Sequence, residues 1–68
     1  MRSISGKELC GILEQNGWRL KNIHGSHHVY MKPGKPERIS IPVHGNKDLK
    51  TGLLRSILKI AEISEDEI

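Results

Sequence analysis

Four histidines are the side chains of this 68-residue sequence that could transfer protons near neutral pH. His24, His27 and His28 surround one turn, and His44 lies further along the chain. The clustered three could also bind a metal ion, but no carboxylate or cysteine stands beside them to complete a ligand shell. No serine or cysteine has the sequence context of an activated nucleophile. General acid–base chemistry by histidine is therefore the chemistry that these residue types favour.

The charge of the chain is unevenly distributed. Its net charge is +3, but four of its eight acidic residues lie within the last seven positions. Residues 1–61 therefore carry eleven basic and four acidic side chains, a net charge of +7. Such an excess attracts polyanions such as RNA or DNA, although composition alone is equally compatible with a solubilising surface charge. The acidic C-terminal tail, residues 62–68, either offsets the basic face or simply solvates a helix end.

Cleavage of RNA needs few protein groups because the substrate carries its own nucleophile, the 2′-hydroxyl. One imidazole that takes or gives the proton, with cations around the phosphate, can suffice. Alternation along residues 27–32 predicts that His27 lies with Val29 and Met31 at the rim of the core and that His28 faces outward with Tyr30. Position alone therefore makes His28 the more exposed histidine, and His27 is more simply explained as a hydrogen-bonded rim residue.

The elements that must position these histidines begin with a helix. Ser5 and Glu8 fit a capping box, and an apolar stripe followed by Asn16-Gly17 predicts a helix over residues 5–16. Alternating patterns then predict strands, with Trp18 in the core, at residues 18–23, 27–32 and 37–42. The run Pro33-Gly34-Lys35-Pro36 is predicted to connect the second and third strands as a hairpin.

A second helix is predicted after the loop that contains His44, with Asp48 as its N-cap. Its apolar stripe consists of Leu49, Leu53, Leu54, Ile57, Leu58 and Ile60. Ser64 and Glu67 resemble a further short capping box. The order indicates a single α+β domain over residues 1–68, an α-β-β-β-α two-layer sandwich like the double-stranded-RNA-binding domain, with one sheet face open.

Cysteine content and hydropathy limit where in the cell the protein is expected. Cys10 is the single cysteine, so no internal disulfide is expected. The first residues lack the apolar region of a secretory signal, and no run of roughly 18 apolar residues predicts a membrane span. We therefore expect a soluble cytoplasmic protein without a membrane association.

Three segments together resemble one known family. They are Gly25-Ser26-His27-His28-Val29-Tyr30 after a helix that ends Glu14-Gln15-Asn16-Gly17-Trp18, then Ile41-Pro42-Val43-His44, then residues 48–59. In their order and spacing over residues 5–67 they are similar to the HicA (YcfA-like) toxins. The resemblance implies a double-stranded-RNA-binding-like fold, cleavage of mRNA without a metal or other cofactor, and neutralisation by a HicB antitoxin that covers the active surface. A free monomer acting on single-stranded RNA is expected.

The resemblance also implies which of the four histidines is catalytic. The histidine that follows Gly-Ser at the start of the second strand is the family's catalytic position, which implies that His27 is the general acid or base here. Gly25 and Ser26 then form a turn that either lets a phosphate approach or is an ordinary tight turn. Two departures stand out, since the family commonly has Gly-Thr-Leu where this chain has Gly52-Leu53-Leu54, and Ala-Gly where it has Ala61-Glu62.

An RNA-binding face is expected around this histidine, although each lysine taken alone is more simply a solvated surface charge. Tyr30 on the open face could stack on a base or merely shield the sheet. The predicted RNA-binding residues are Gly25, Ser26, His28, Tyr30, Lys32, Lys35, Arg38, His44, Lys47 and Lys50. A non-catalytic RNA-binding module of the same fold is the main alternative function. A pure protein-interaction domain is less favoured, because the apolar residues are nearly all assigned to the core.

Overall fold

The computed structural model describes residues 2–68 and has the predicted order of elements. The elements are α1 (Gly6–Gln15), β1 (Arg19–His24), β2 (His27–Lys32), β3 (Lys35–Pro42), α2 (Thr51–Ala61) and a short 3-10 helix (Glu65–Glu67). The strands form one antiparallel sheet in the order β1-β2-β3, and this confirms the α-β-β-β-α, mixed α+β architecture. Within the described residues no helix is long and apolar enough to cross a membrane.

Helix α1 begins and ends as its sequence predicts. The backbone N–H of Glu8 donates to the Ser5 hydroxyl at 3.1 Å, and the Glu8 carboxylate accepts from the Ser5 backbone, so the capping box is present. At the other end Gly17 has a φ of +91°, and the Trp18 N–H donates to the Leu13 carbonyl at 3.0 Å. A glycine favours this left-handed turn, which brings the buried Trp18 back under the helix.

The β2–β3 hairpin is tighter than predicted. Pro33 and Gly34 alone form the turn, and Lys32 pairs directly with Lys35. Gly34 has a φ of +87°, which suits the third position of a type II turn that has proline before it. The prediction that Lys35 and Pro36 belong to the connection was therefore wrong, and β3 starts two residues early because the edge of a sheet tolerates a proline.

The two faces of β2 are the reverse of those predicted. Tyr30 is opposite Ile39 and His28 is opposite Ile41, and both isoleucines are buried beneath the helices. His28 and Tyr30 therefore lie on the helix side, whereas His27 lies on the open side. Because side chains alternate strictly, an error of one residue exchanges the faces of the whole strand. The pattern His-His-Val-Tyr-Met-Lys is ambiguous since both faces carry an apolar residue.

Strand β1 is more exposed than its alternation predicts. Leu20 and Ile23 are 45% and 52% exposed, although Trp18 just before the strand is buried as predicted. β1 is an edge strand, and its register with β2 shifts between Leu20 and Asn22. The assignment of nearly all apolar residues to the core was wrong here.

Helix α2 begins later than predicted. Thr51 is its first residue, Lys50 occupies the N-cap position without a side-chain hydrogen bond, and Asp48 instead forms a β-bridge with Ser5. The Leu49 N–H donates to the Ile4 carbonyl at 2.9 Å, which holds this segment extended. The predicted N-cap at Asp48 was wrong because pairing with the chain before α1 replaces the helical turn. In the predicted stripe, Leu53 and Ile60 are exposed.

The acidic tail contacts basic side chains. Glu62 lies 3.2 Å from the Lys35 ammonium and Glu65 lies 3.6 Å from the Arg55 guanidinium. Ser64 caps the short 3-10 helix by accepting from the Asp66 N–H at 3.2 Å, rather than from Glu67 as the predicted capping box requires. Two of the tail's carboxylates thus offset basic charge.

Candidate active site

His27 is the first residue of β2, and its imidazole is exposed on the open face of the sheet. The turn before it contains Gly25, whose φ of +59° lies in the left-handed region that glycine favours. A Cβ built on Gly25 would meet no atom within 4 Å, so the space in front of this turn is open. A phosphate could therefore approach beside the imidazole. His27 shares a side with Val29 as expected, but the expectation that it lies at the rim of the core was wrong, because its side chain is exposed on the face away from the helices.

The end of β3 is tied to this turn. Pro42 is the register partner of His27, and the Val43 N–H donates to the Ser26 carbonyl at 2.7 Å. Helix α1 packs against the same place, because a Cβ on the buried Gly6 would overlap the carbonyl oxygen of Pro42. Two segments distant in sequence, the end of β3 and the start of α1, therefore hold the Gly25 turn in place. Gly6 was missed as a positioning residue because its helix-initiating context gives no sign of this close approach.

A groove of about 200 Å³ opens next to Pro42. We call it the His44 groove; its lining residues are Pro42, His44, Lys47, Asp48, Leu49, Lys50 and Leu53. The structure thus brings together the predicted RNA-binding residues His44, Lys47 and Lys50 and places them beside the register partner of His27. Leu53, where the family commonly has threonine, is part of this groove, so that departure from the family pattern lies at the candidate site.

The hairpin cations lie elsewhere. Lys32 is five residues along β2 from His27, a separation of roughly 16 Å in a strand. Its alkyl chain lies beside Gly17, since a Cβ there would be 3.3 Å from the Lys32 Cε. Lys35 is paired with Glu62, and the Arg38 guanidinium donates to the Pro36 carbonyl at 3.1 Å. The single continuous cationic face expected from sequence is divided between two ends of the sheet.

Tyr30 does not have the exposure that base stacking requires. It is 1% exposed, and its hydroxyl donates to the Glu14 carboxylate at 2.6 Å. Burial raises the pKa of Tyr30 well above its ordinary value, and side-chain hydrogen bonds with Glu14 and with Cys10 raise that pKa further. The prediction of Tyr30 on the open face was wrong, because its ring packs beneath α1 and its hydroxyl reaches Glu14 of that helix at the edge of the core.

His28 is half-buried in a second groove, of about 340 Å³, between α1 and the sheet. Lys7, Glu14 and Leu20 line the same groove. This places His28 on the opposite side of the sheet from His27. His24 is opposite His27 in the register, and its Nε2 lies 2.7 Å from the amide nitrogen of Asn22. The three clustered histidines therefore do not converge, and residues 2–68 contain no group of three or more metal-ligating side chains.

Comparisons with known proteins extend over all of these elements. The sequence model of a family described as HicA toxin of bacterial toxin-antitoxin matches residues 6–63. A solved structure described as the HicA3 and HicB3 toxin-antitoxin complex contains a chain similar to this one, with 35% sequence identity and a TM-score of 0.67. The match covers 87% of this chain and 94% of that chain. No curated protein matches the chain significantly.

Proposed function

Since this chain belongs to the HicA toxin family of bacterial toxin–antitoxin systems, we propose that it is an endoribonuclease that cleaves mRNA without a metal ion, with His27 as general acid or base. The observation that carries the proposal is the exposed imidazole of His27 beside an open glycine turn. General acid–base catalysis by one such group contributes roughly 10²–10⁴-fold to the rate.

The substrate would lie across the open end of the sheet. Single-stranded RNA can place a phosphate at the Gly25 turn, where no side chain obstructs it. Lys47 and Lys50 would bind the neighbouring phosphates. Pro42, Leu49 and Leu53 would provide an apolar surface that contacts a base or ribose. Transesterification then uses the RNA's own 2′-hydroxyl as nucleophile, breaks the bond from phosphorus to the 5′-oxygen, and leaves a 2′,3′-cyclic phosphate and a free 5′-hydroxyl.

The partner in this proposal is a HicB-type antitoxin. The similar solved structure is a complex of HicA3 with HicB3. We propose that such an antitoxin covers the open face around His27, that the toxin acts in the cytoplasm, and that it is a monomer when free.

The test is cleavage of a labelled single-stranded RNA by the purified protein in excess EDTA. Wild type should cleave, and a folded His27→Ala variant should be slower by roughly 10²–10⁴-fold. Lys59→Gln, which removes an exposed cation from the last turn of α2, is a control that should keep wild-type activity. Cleavage that survives in His27→Ala would refute the role of His27.

The alternative function, an RNA-binding module without catalysis, predicts a different result in the same assay. Wild type would then bind the RNA with a strong dependence on salt and leave it intact. The free toxin and its complex with a HicB-type protein can be compared in parallel. Inhibition of cleavage by the antitoxin would support the proposed pair.

A further inference from the structure

The proposed cleavage requires two proton transfers, and His27 can perform one of them. The 2′-hydroxyl must lose a proton as its oxygen attacks phosphorus, and the departing 5′-oxygen must gain one. A second group with a suitable proton near the same phosphate would complete the reaction. The identity of that second group depends on the proposed ribonuclease function.

The register of the sheet brings His44 to the side of His27. Pro42 is opposite His27, and the Val43–Ser26 hydrogen bond extends the pairing by one residue beyond β3. His44 follows next, beside the Gly25 turn. Alternation places it on the same side as Pro42, and both residues line the His44 groove. Diagonal neighbours in an antiparallel pair lie about 7–8 Å apart, so one phosphate can fit between two such imidazoles.

The backbone around His44 is held in place from the C-terminal side as well. The Lys47 N–H donates to the His44 carbonyl at 3.0 Å, which closes a turn over residues 44–47. Leu49 is anchored to Ile4 by a backbone hydrogen bond of 2.9 Å. His44 therefore lies on a short loop that is fixed at both ends, and its imidazole is exposed.

The charged groups around the two imidazoles suit a phosphodiester. Lys47 and Lys50 line the groove with His44, and Asp48 is the carboxylate among them. His24 faces His27 across the register from β1. Cations hold the phosphate and stabilise the charge that develops on it.

We propose that His44 is a catalytic residue that works with His27 as an acid–base pair on RNA. The neutral imidazole takes the proton of the 2′-hydroxyl while the 2′-oxygen forms its bond to phosphorus. The bond from phosphorus to the 5′-oxygen breaks, and the protonated imidazole gives its proton to that oxygen. The products are a 2′,3′-cyclic phosphate and a free 5′-hydroxyl, and the pair is left with its protons exchanged.

The other titratable neighbours are less suited to this role. His28 lies on the opposite side of the sheet, and Tyr30 is buried with its hydroxyl bonded to Glu14. His24 is held by Asn22 at 2.7 Å. The imidazole of His44 is exposed, and the residue lines the His44 groove, together with Lys47 and Lys50, next to the Gly25 turn.

The first experiment is the pH dependence of single-turnover cleavage of a short single-stranded RNA in EDTA. Wild type should give a bell-shaped profile, because one imidazole must be neutral and the other protonated. His44→Ala and His27→Ala should each lose roughly 10²–10⁴-fold and keep only one limb of the bell. Circular dichroism checks that each variant is folded, and Lys59→Gln is the matched surface control.

A second substrate separates the acid from the base. Uridine 3′-(4-nitrophenyl phosphate) has a leaving group that departs without a proton. The variant that lacks the general acid should therefore cleave it at close to the wild-type rate, while the variant that lacks the base should be slow on both substrates. Affinity for the same RNA with a 2′-deoxy nucleotide at the cleavage site should be unchanged in His44→Ala.

The outcomes distinguish the two proposals. If wild type cleaves RNA and His44→Ala keeps the wild-type rate or a bell-shaped profile, His44 is not the second catalytic group, and the ribonuclease proposal stands. If His44→Ala loses affinity as much as rate with the bell retained, it is a binding residue and this inference is wrong. If wild type cleaves neither substrate, both proposals are wrong.

Discussion

Tyr30 shows how a single polar residue is accommodated in so small a core. Its ring is buried between α1 and the sheet, and its hydroxyl donates to the Glu14 carboxylate at 2.6 Å. A hydrogen bond to a charged acceptor of this kind contributes about 1.5–3 kcal/mol. Because Glu14 is on α1 and Tyr30 on β2, the bond joins the helix to the central strand.

Ionisation of the Tyr30 hydroxyl should be coupled to unfolding of the protein. The pKa of Tyr30 is raised, mainly by burial, so the folded protein holds the phenol proton to higher pH than the unfolded chain does. The unfolded chain therefore releases the proton first as pH rises above about 10. From that pH upward, the free energy of unfolding falls by about 1.4 kcal/mol per pH unit until the folded protein also releases the proton. Since Tyr30 is the single tyrosine, tyrosinate absorbance should appear together with unfolding.

Tyr30→Phe is the matched control for that titration. Its free energy of unfolding should be lower by about 1.5–3 kcal/mol at neutral pH, because the bond to Glu14 is lost. It should also lack the part of the stability loss at alkaline pH that ionisation of Tyr30 causes. RNA affinity should be unchanged. A tyrosinate signal that titrates normally in the folded protein would contradict the buried position.

The end of α2 shows how an element can keep its shape without its preferred residue. Glu62 has a φ of 60° and a ψ of 39°, and the Ile63 N–H still donates to the Leu58 carbonyl at 3.0 Å. This is the left-handed helix end at which glycine is usual. The buried Ile63 after it secures the turn despite the cost of a side chain at this conformation.

Two substitutions at Glu62 separate backbone strain from charge. Both Glu62→Gly and Glu62→Ala remove the exposed ion pair with Lys35, which is worth about 0–1 kcal/mol. Only glycine relieves the left-handed conformation, so Glu62→Gly should be more stable than Glu62→Ala by about 1 kcal/mol. Urea unfolding of the two variants measures the difference. Equal stability would mean that the helix end relaxes to another conformation.

At the scale of the whole molecule, the basic charge has two separate locations. Lys47 and Lys50 line the His44 groove near the Gly25 turn, whereas Lys32 and Lys35 lie at the far end of the sheet. Lys35 is further offset by Glu62 of the acidic tail. A net charge of +7 over residues 1–61 attracts polyanions in general. The end with Lys47 and Lys50 is the one that also has the exposed His27 of the proposed reaction.

Charge-matched pairs of variants test this division. Lys47→Gln with Lys50→Gln should weaken binding of single-stranded RNA and reduce the slope of log affinity against log salt by about 0.7 for each lost phosphate contact. Lys32→Gln with Lys35→Gln removes the same charge and should leave that slope nearly unchanged. A salt titration of fluorescence anisotropy gives both slopes. Equal reductions would show that RNA spans the whole sheet.

Local residue types determined most of the architecture. The capping box of Ser5 and Glu8, the Gly17 turn and the Pro33-Gly34 hairpin each act through neighbouring backbone groups, so their effect can be predicted from sequence. The same holds for the order of helices and strands. The choice of His27 depended on the family resemblance of the Gly-Ser-His segment, and its catalytic role remains a prediction.

Packing between distant segments decided the rest. The alternating pattern of β2 is compatible with burial of either face of the strand. The contact between Tyr30 and Glu14 of α1 accompanies burial of the face that carries Tyr30. The start of α2 depends on the pairing of Asp48 with Ser5, and the position of His44 depends on the hydrogen bond between Val43 and Ser26. These contacts join residues far apart in sequence, so no local pattern contains them. The register of the strands also places Lys32 and Lys35 at one end of the sheet and Lys47 and Lys50 near the other.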